Sequence, residues 1–343
     1  MRTAGAVVLA TVACLAIGAP WIAPNDPDRR FDDLLYAPPM RIHLFAHASA
    51  DAPAGPPLRT TEEPAPAARG PHIHPLRVLS LRQRTFEDDG ARAVALRWFS
   101  GGRLVTADPD GGAPLLLLGA DGFGRDIFSR LLHGARATLL VAALATLGAT
   151  LLGAIVGGVS GQSPGWIDAT LSRVTEFVLV LPAIYVALSL RAVMPLVVPA
   201  ATVFVLLTGI FTLLGWPVVA RGVRAIVLAE RERDYAMAAR AAGAGGGRLL
   251  WRHLLPAAWG YVRTQATLLF PAFILAEATM SFVGLGFPTD VATWGTMLRE
   301  AENVAALADA PWTLAPAVAI FAVVLGVNLL VQGSGHAPVQ LEP

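Results

Sequence analysis

The sequence predicts an all-α polytopic membrane protein of about six transmembrane helices, with one long segment outside the bilayer between the first two. Three observations predict it. The 343 residues are 55% hydrophobic and only 15% charged, against about 25% charged residues in soluble domains. Uncharged apolar runs of roughly 20 residues recur, the length an α-helix needs to cross about 30 Å of hydrocarbon. Between two of these runs, Arg221–Pro256 holds seven arginines against three acidic residues. At about 2.5–3.5 kcal/mol per arginine at the bilayer centre, burying that stretch would cost on the order of 20 kcal/mol, so it faces water.

The first helix, 1–23, follows from Met1-Arg2 and an apolar run from Ala4 to about Ala23. A signal peptide starts the same way, but this run is long enough to span, and an uncleaved helix is the better reading. Residues 24–136 form the outer segment. Within it, 48–75 are dense in Pro and Ala and read as an extended linker. Residues 76–118 alternate better. Ala93–Phe99, the Ser100-Gly101-Gly102 turn and Arg103–Thr106 predict a small β-hairpin. Five helices then fill 137–332: Ala137–Val159, the short Phe177–Leu190 between Glu176 and Arg191, Ala192–Ala220 behind a turn marked by Pro195 and Pro199, Thr264–Phe287 with the single charge Glu277, and Trp312–Val331. A short tail, 333–343, closes the chain.

Short basic loops stay inside, whereas long translocated segments escape that bias. The loop 221–258 is therefore cytoplasmic. Both termini and the Gly161–Arg173 connection fall on the same side, and Pro24–Arg136 and Pro288–Pro311 fall outside. A net charge of +1 gives no reason to expect a nucleic-acid partner. Cys14, the only cysteine, allows neither an intrachain disulfide nor a thiolate metal cluster, and reads as a small core residue. His72 and His74, with His43 and His47 upstream, lie in a Pro-rich stretch without matching carboxylates. They read as solvated, and no metal site is expected. The Gly153-Ala154-Ile155-Val156-Gly157 spacing fits intrachain helix packing or an interface with another membrane subunit.

The arginine-rich loop has its own logic. Asp234 suits an N-cap or first helical turn. Tyr235, Ala238, Ala239 and Ala242 recur at helical spacing, and Gly243 ends the helix. Such a narrow, small-residue face cannot support a core but fits a groove on another protein. Arg240 projects from that helix, whereas Arg252 and His253 suit simple inside-positive anchoring. Glu277, with Ser281 one turn on, is an intramembrane carboxylate and so a functional candidate. It lines a path, or pairs with Arg263, Arg299 or another subunit. Asp121, Arg125 and Asp126 precede the second helix and form either a docking or gating ion-pair cluster or a plain helix start.

Three stretches resemble one known family. YAMAARAAGAGGGRLLWRHLLP resembles the coupling loop of the inner-membrane permeases of binding-protein-dependent ABC importers, with Ala238, Ala239, Gly243, Leu255 and Pro256 matching. Met237 stands where the family has glutamate, which removes a carboxylate that would contact or orient a partner. LLGADGFGRDIFSRLLHGARATL resembles the signature of the dipeptide/oligopeptide/nickel branch through Gly119, Asp121, Gly124, Arg125, Asp126, Ser129, Arg130, Gly134, Ala135 and Arg136, with Ala120 in place of threonine. ILAEATMSFVGLGF with TWGTML continues it through Glu277, Ser281, Gly284, Gly286, Trp294 and Gly295. The resemblance covers Leu117–Val331, while about Arg41–Pro114 matches little of it.

The resemblance implies a MetI-like type I importer permease fold in the cell inner membrane. It implies a second permease subunit, an external solute-binding protein, and two cytoplasmic ATPases that clamp Tyr235–Gly243 and use ATP and Mg. The chain itself would need no cofactor and would not be an enzyme. No GxxxxGK[ST] sequence occurs in it. Peptides or similar small solutes are the implied cargo, carried by alternating access. Two other classes stay open: an assembly or signalling subunit that has lost transport, and a membrane enzyme using Glu277, Asp121 or the histidines.

Overall fold

Backbone polar groups have no water to bond in hydrocarbon, so apolar spanning runs close their hydrogen bonds within α-helices. The computed structural model describes residues 2–44, 70–80, 83–90, 92–108, 113–182, 185–186, 188–189 and 199–332. Its helices are α1 (Arg2–Ile17), α2 (Ala19–Ile22), α3 (Ile127–Gln162), α4 (Gly165–Val180), α5 (Ala200–Glu230), α6 (Asp234–Ala241), α7 (Gly246–Leu249), α8 (Leu255–Val283), α9 (Trp294–Glu300), α10 (Val304–Asp309) and α11 (Ala315–Gln332). A π-helical turn, Leu250–Leu254, joins α7 to α8, and a 3-10 turn, Pro311–Leu314, leads into α11.

Among the described residues, four helical stretches are long and apolar enough to cross a membrane: Ile127–Gln162, Ala200–Glu230, Gly246–Val283 and Pro311–Val331. α1 is apolar but has 16 residues. The span expected at Phe177–Leu190 falls partly outside the described residues. Phe177–Val180 close α4, which begins at Gly165, inside the stretch expected as a connection. Asp168 in its first turn suits a helix N-terminus and also pairs with Arg224 on α5. α4 stops where Leu181 turns extended ahead of Pro182, the conformation a following proline favours. α5 continues ten residues past the expected Ala220, since Val223 and Val227 carry the buried stripe of Val219 onward at i, i+4 spacing. Much of the expected charged loop is therefore helix end rather than loop.

The chain divides into two compact units. In the unit formed by 1–9, 137–288 and 322–343, Val219, Val223 and Val227 of α5 share a buried cluster with Leu249, Leu250, Leu254, Ala258 and Val262. Gly153 and Gly157 of α3 lie against α5. A Cβ at Gly153 would stand 2.6 Å from Val219 Cβ, and one at Gly157 2.3 Å from the Ala220 carbonyl oxygen. That spacing packs within the chain.

The other unit, 10–136 with 289–321, has its own core of Leu34, Met40, Ile73, Leu96, Leu115 and Leu116. Three small antiparallel sheets border it. β1 (Ile42–His43), β2 (His72–Ile73) and β5 (Val94–Ala95) form one, and β3 (Leu76–Ser80) with β4 (Thr85–Asp88) another. β6 (Arg97–Ser100) and β7 (Arg103–Thr106) form the third, the expected hairpin, turning through Gly101 and Gly102. The first two sheets were not expected. Of the stretch read as a linker, residues 48–69 lie outside the described residues, but His72 and Ile73 are buried strand. Cys14, expected in a core, is exposed on α1. The tail 333–343 lies outside the described residues.

Candidate functional site

α6 is short, yet both of its ends are chemically defined. Asp234 lies in the first turn, where its charge suits the helix N-terminus, while Arg233 occupies the cap without a side-chain bond. At the other end the Gly243 N–H donates to the Arg240 carbonyl at 2.9 Å, and the Ala244 N–H to the Ala239 carbonyl at 3.0 Å. This is a Schellman ending, with Gly243 at φ +84°, a region that costs a side chain roughly 1–2 kcal/mol. Ala236 is fully buried and Ala239 packs beside it against the α5–α8 cluster. The expected face is thus split, because Ala239 turns inward while Tyr235, Ala238 and Ala242 stay exposed. Tyr235 is 40% and Met237 48% exposed, and Arg240 is exposed beside them.

Two bonds tie this segment to the end of α3. Gln162 Nε2 donates to the Gly246 carbonyl at 2.6 Å, and Arg231 Nη1 to the Gly161 carbonyl at 3.0 Å. The Tyr235 hydroxyl donates to Glu230 at 2.8 Å, and burial and the Glu230 carboxylate push its pKa up. Pro256, one residue into α8, follows directly on the π turn. A wider turn is a natural place for a residue without an N–H to donate.

Glu277 is completely buried. Its Oε2 accepts from Thr138 Oγ1 and its Oε1 from Ser281 Oγ, both at 2.8 Å. Ser281 Oγ in turn accepts from the Phe287 N–H at 3.2 Å. The carboxylate thereby links α3, α8 and the turn after α8 through hydroxyls. Thr138 was not singled out from sequence, and nothing in its local pattern marks it.

In the second unit, Asp126 caps α3: its Oδ1 accepts from the Phe128 N–H at 3.1 Å. Its Oδ2 accepts from Asn25 Nδ2 at 2.9 Å and from Ser129 Oγ at 2.5 Å. Burial raises its pKa to about 6, against those hydrogen bonds. Gly124 holds φ +69°, and a Cβ there would fall 2.1 Å from the Phe31 carbonyl oxygen. Gly119, also at positive φ, follows the turn at Leu117-Leu118, and its carbonyl accepts from the Ile127 N–H at 3.1 Å. This tight turn aims Asp121 and Arg125 at each other, with Arg125 Nε donating to Asp121 Oδ2 at 2.8 Å. Arg125 also pairs with Glu300 of α9, and Arg130, fully buried, lies 3.4 Å from that same carboxylate. Burial, then Asp121, push Glu300 up to about 8 against the pull of the two guanidiniums. The plain helix-start reading thus holds for Asp126, whereas Asp121 and Arg125 belong to a buried network of four ionisable groups with Arg130 and Glu300. Glu300 was missed.

Asp168 and Arg224 were also missed. Arg224 Nε and Nη2 donate to the two Asp168 oxygens at 2.6 Å each, and Ser160 Oγ donates to Oδ1 at 2.5 Å. The arginine holds Asp168 down at about 2. An acid in the first turn of α4 and one of two arginines near the end of α5 were the only signals. The histidines also differ from expectation. His72 is buried, and the rings of His43, His72 and His74 lie 4.9–5.6 Å apart. His47 lies outside the described residues. Among the described residues no three His, Cys, Asp or Glu side chains are placed to hold a metal ion.

Residues 149–336, more than half of the chain, match the family described as the inner membrane component of binding-protein-dependent transport systems. A Brucella ovis protein that carries a peptide-permease name is 38% identical over 216 residues, 63% of this chain and 70% of that protein. A dipeptide transport system permease protein of Alkalihalophilus pseudofirmus is 36% identical over 63% of this chain and 68% of its own length. A di/tripeptide transport system permease protein of Pseudomonas aeruginosa is 28% identical over 96% of this chain and 84% of its own. With apolar helices long enough to cross a bilayer and a match across α3 to α11, the chain belongs to the family of inner-membrane permease components of binding-protein-dependent transport systems.

Proposed function

We propose that this chain forms half of a translocation pathway for peptides or similar small solutes, and that α6 couples the pathway to two cytoplasmic ATPase subunits. The observation that carries this reading is the mounting of α6. Its outer side offers Tyr235, Met237, Ala238 and Arg240, while Ala236 and Ala239 peg it to α5 and α8 and Gln162 and Arg231 tie its surroundings to α3. A push on α6 therefore reaches the ends of three spanning helices at once. In this reading the loop and both termini are cytoplasmic, and 24–136 faces a solute-binding protein. A second permease subunit completes the path, and ATP and Mg act in the ATPases, so this chain performs no chemistry. Asp121, Arg125 and Asp126 fix the outer end of α3, and Glu277 with Ser281 holds the turn beside the path. The peptide names of the relatives support the cargo class.

Reconstitution of the assembled transporter in proteoliposomes tests the coupling. Tyr235→Ala with Arg240→Ala is expected to leave assembly of the two permease subunits intact while cutting solute-stimulated ATP hydrolysis at least tenfold. Unchanged stimulation would sink the proposal. The exposed Met237, at the position of the family glutamate, favours a second reading as a weakly coupled assembly subunit. If the unmodified chain fails to bind the ATPases and Met237→Glu restores binding, that second reading prevails.

A further inference from the structure

The β6–β7 hairpin lies in the stretch that the transport reading places outside, without assigning a role to the hairpin itself. Between it and Pro24–Arg29 lies a cavity of about 440 Å³, whose charged lining is Arg29, Arg97, Arg103, Asp26 and Asp108. Three guanidiniums against two carboxylates leave one net positive charge (3 − 2 = +1). One wall is fixed to the chain just after α2, because Arg103 Nη1 donates to the Pro24 carbonyl at 2.9 Å. β7 also packs on α2 itself. α2 directly follows the apolar α1, and Trp21, within α2, is 61% exposed.

The hairpin carries an apolar tip beside this cavity. Trp98 is 54% and Phe99 79% exposed. Phe99 holds φ +53°, an uncommon conformation for a bulky residue that costs of order 1–3 kcal/mol. Backbone strain of this kind clusters at ligand-binding and switch sites, and here it sits within an exposed aromatic pair.

We infer that the cavity and tip form a binding site for the headgroup of an anionic phospholipid. The phosphodiester sits among the guanidiniums, and Trp98 and Phe99 enter the headgroup–acyl boundary beside Trp21. Position favours a lipid over other occupants: on the transport reading, on which this inference rests, α1 opens the membrane part of the chain, so its end marks the bilayer surface, where tryptophan concentrates, and the hairpin is anchored beside that end. Charge agrees, since a phosphodiester carries one negative charge and the lining one net positive. Arginine geometry agrees too, because its planar fork pairs with two phosphate oxygens. The cavity is of a size that ligand sites commonly have.

The test is native mass spectrometry of the full chain in maltoside detergent with added phosphatidylglycerol. Retained lipid is expected, and Arg97→Gln is expected to weaken retention about fivefold, the effect of about 1 kcal/mol per arginine near a membrane surface. The paired substitution Trp98→Ser with Phe99→Ser is expected to weaken it similarly. All three side chains are exposed, so the thermal unfolding midpoint should stay put and report intact folding. Inorganic phosphate at equal concentration should not displace the lipid. Retention unchanged by Arg97→Gln overturns the site. Displacement by inorganic phosphate, with the aromatic pair making no difference, makes it a small-anion site and overturns the lipid assignment. Loss of a solute-binding partner with lipid retention intact makes the tip a protein contact and overturns it as well.

Discussion

Arg125 and Arg130 lie among Asp121 and Glu300 with almost no exposure. Burying four ionisable groups is costly, and the network stabilises only while every member keeps its partner. Arg125→Met leaves Asp121 and Glu300 with one guanidinium between them. We expect a loss of about 3–5 kcal/mol, measured by thermal unfolding of the detergent-solubilised chain. Asp126 makes a pH prediction. Folded, it keeps its proton up to about pH 6; unfolded, only to about its ordinary 3.8. Between those values the folded state binds more protons, so this group's contribution is fully present below 3.8 and is lost as pH rises through 6. Asp126→Asn should remove that slope, and an unchanged stability profile between pH 4 and 6 would refute the assignment. Asp121, Arg125 and Asp126 were legible in sequence because they lie within six residues of one another. Glu300 was not, because 175 positions separate it from Arg125 and only the folded turn brings them together.

At the scale of elements, α6 shows what local chemistry encodes. Its ends were legible, since an acid in the first turn and a glycine after the last are local signals. The buried face was not, because alanines at 236, 238, 239, 241 and 242 make the sides of the helix chemically alike. Only contact with α5 and α8 chooses Ala236. Ala236→Leu should overpack that seat, costing about 1–3 kcal/mol, and should lower ATPase binding in pull-downs with the partner subunits more than Ala238→Leu does. Equal effects at the two positions would mean that α6 is not seated through Ala236. Hairpins behave the same way. Gly101-Gly102 announced β6–β7, whereas the turn of β3–β4 passes through Arg84 at φ +51°, where no glycine or asparagine signals it.

Across the whole molecule, apolar runs located the four described helices long enough to cross a bilayer, because the bilayer acts on composition and length. Helix ends were poorly located, since arginine and glutamate continue a helix as readily as alanine once an apolar stripe carries on beneath them. α4 also begins earlier than expected: its charged first turns are helical, with Asp168 suited to the helix N-terminus and paired with Arg224, 56 positions away. The sidedness we propose is open to direct measurement. In a Cys14→Ser background, Met237→Cys and Gly101→Cys should react with a membrane-impermeant maleimide from opposite faces, the former only in inverted vesicles. Labelling of both from the same face would refute the proposed topology.

The widened turn at Leu250–Leu254 acts as a phase setter for the longest spanning stretch. It holds one residue more than regular α-helical winding would use, and each residue turns a helix by about 100°. Excising a single residue there, Trp251 for instance, would let the helix wind regularly with its two halves still in phase. Regular winding with every residue in place would instead rotate the far half by about 100°. The leucines before the turn and Ala258 and Val262 after it could then no longer face α5 together, and Glu277 would swing off the bearing that meets the hydroxyl of Thr138.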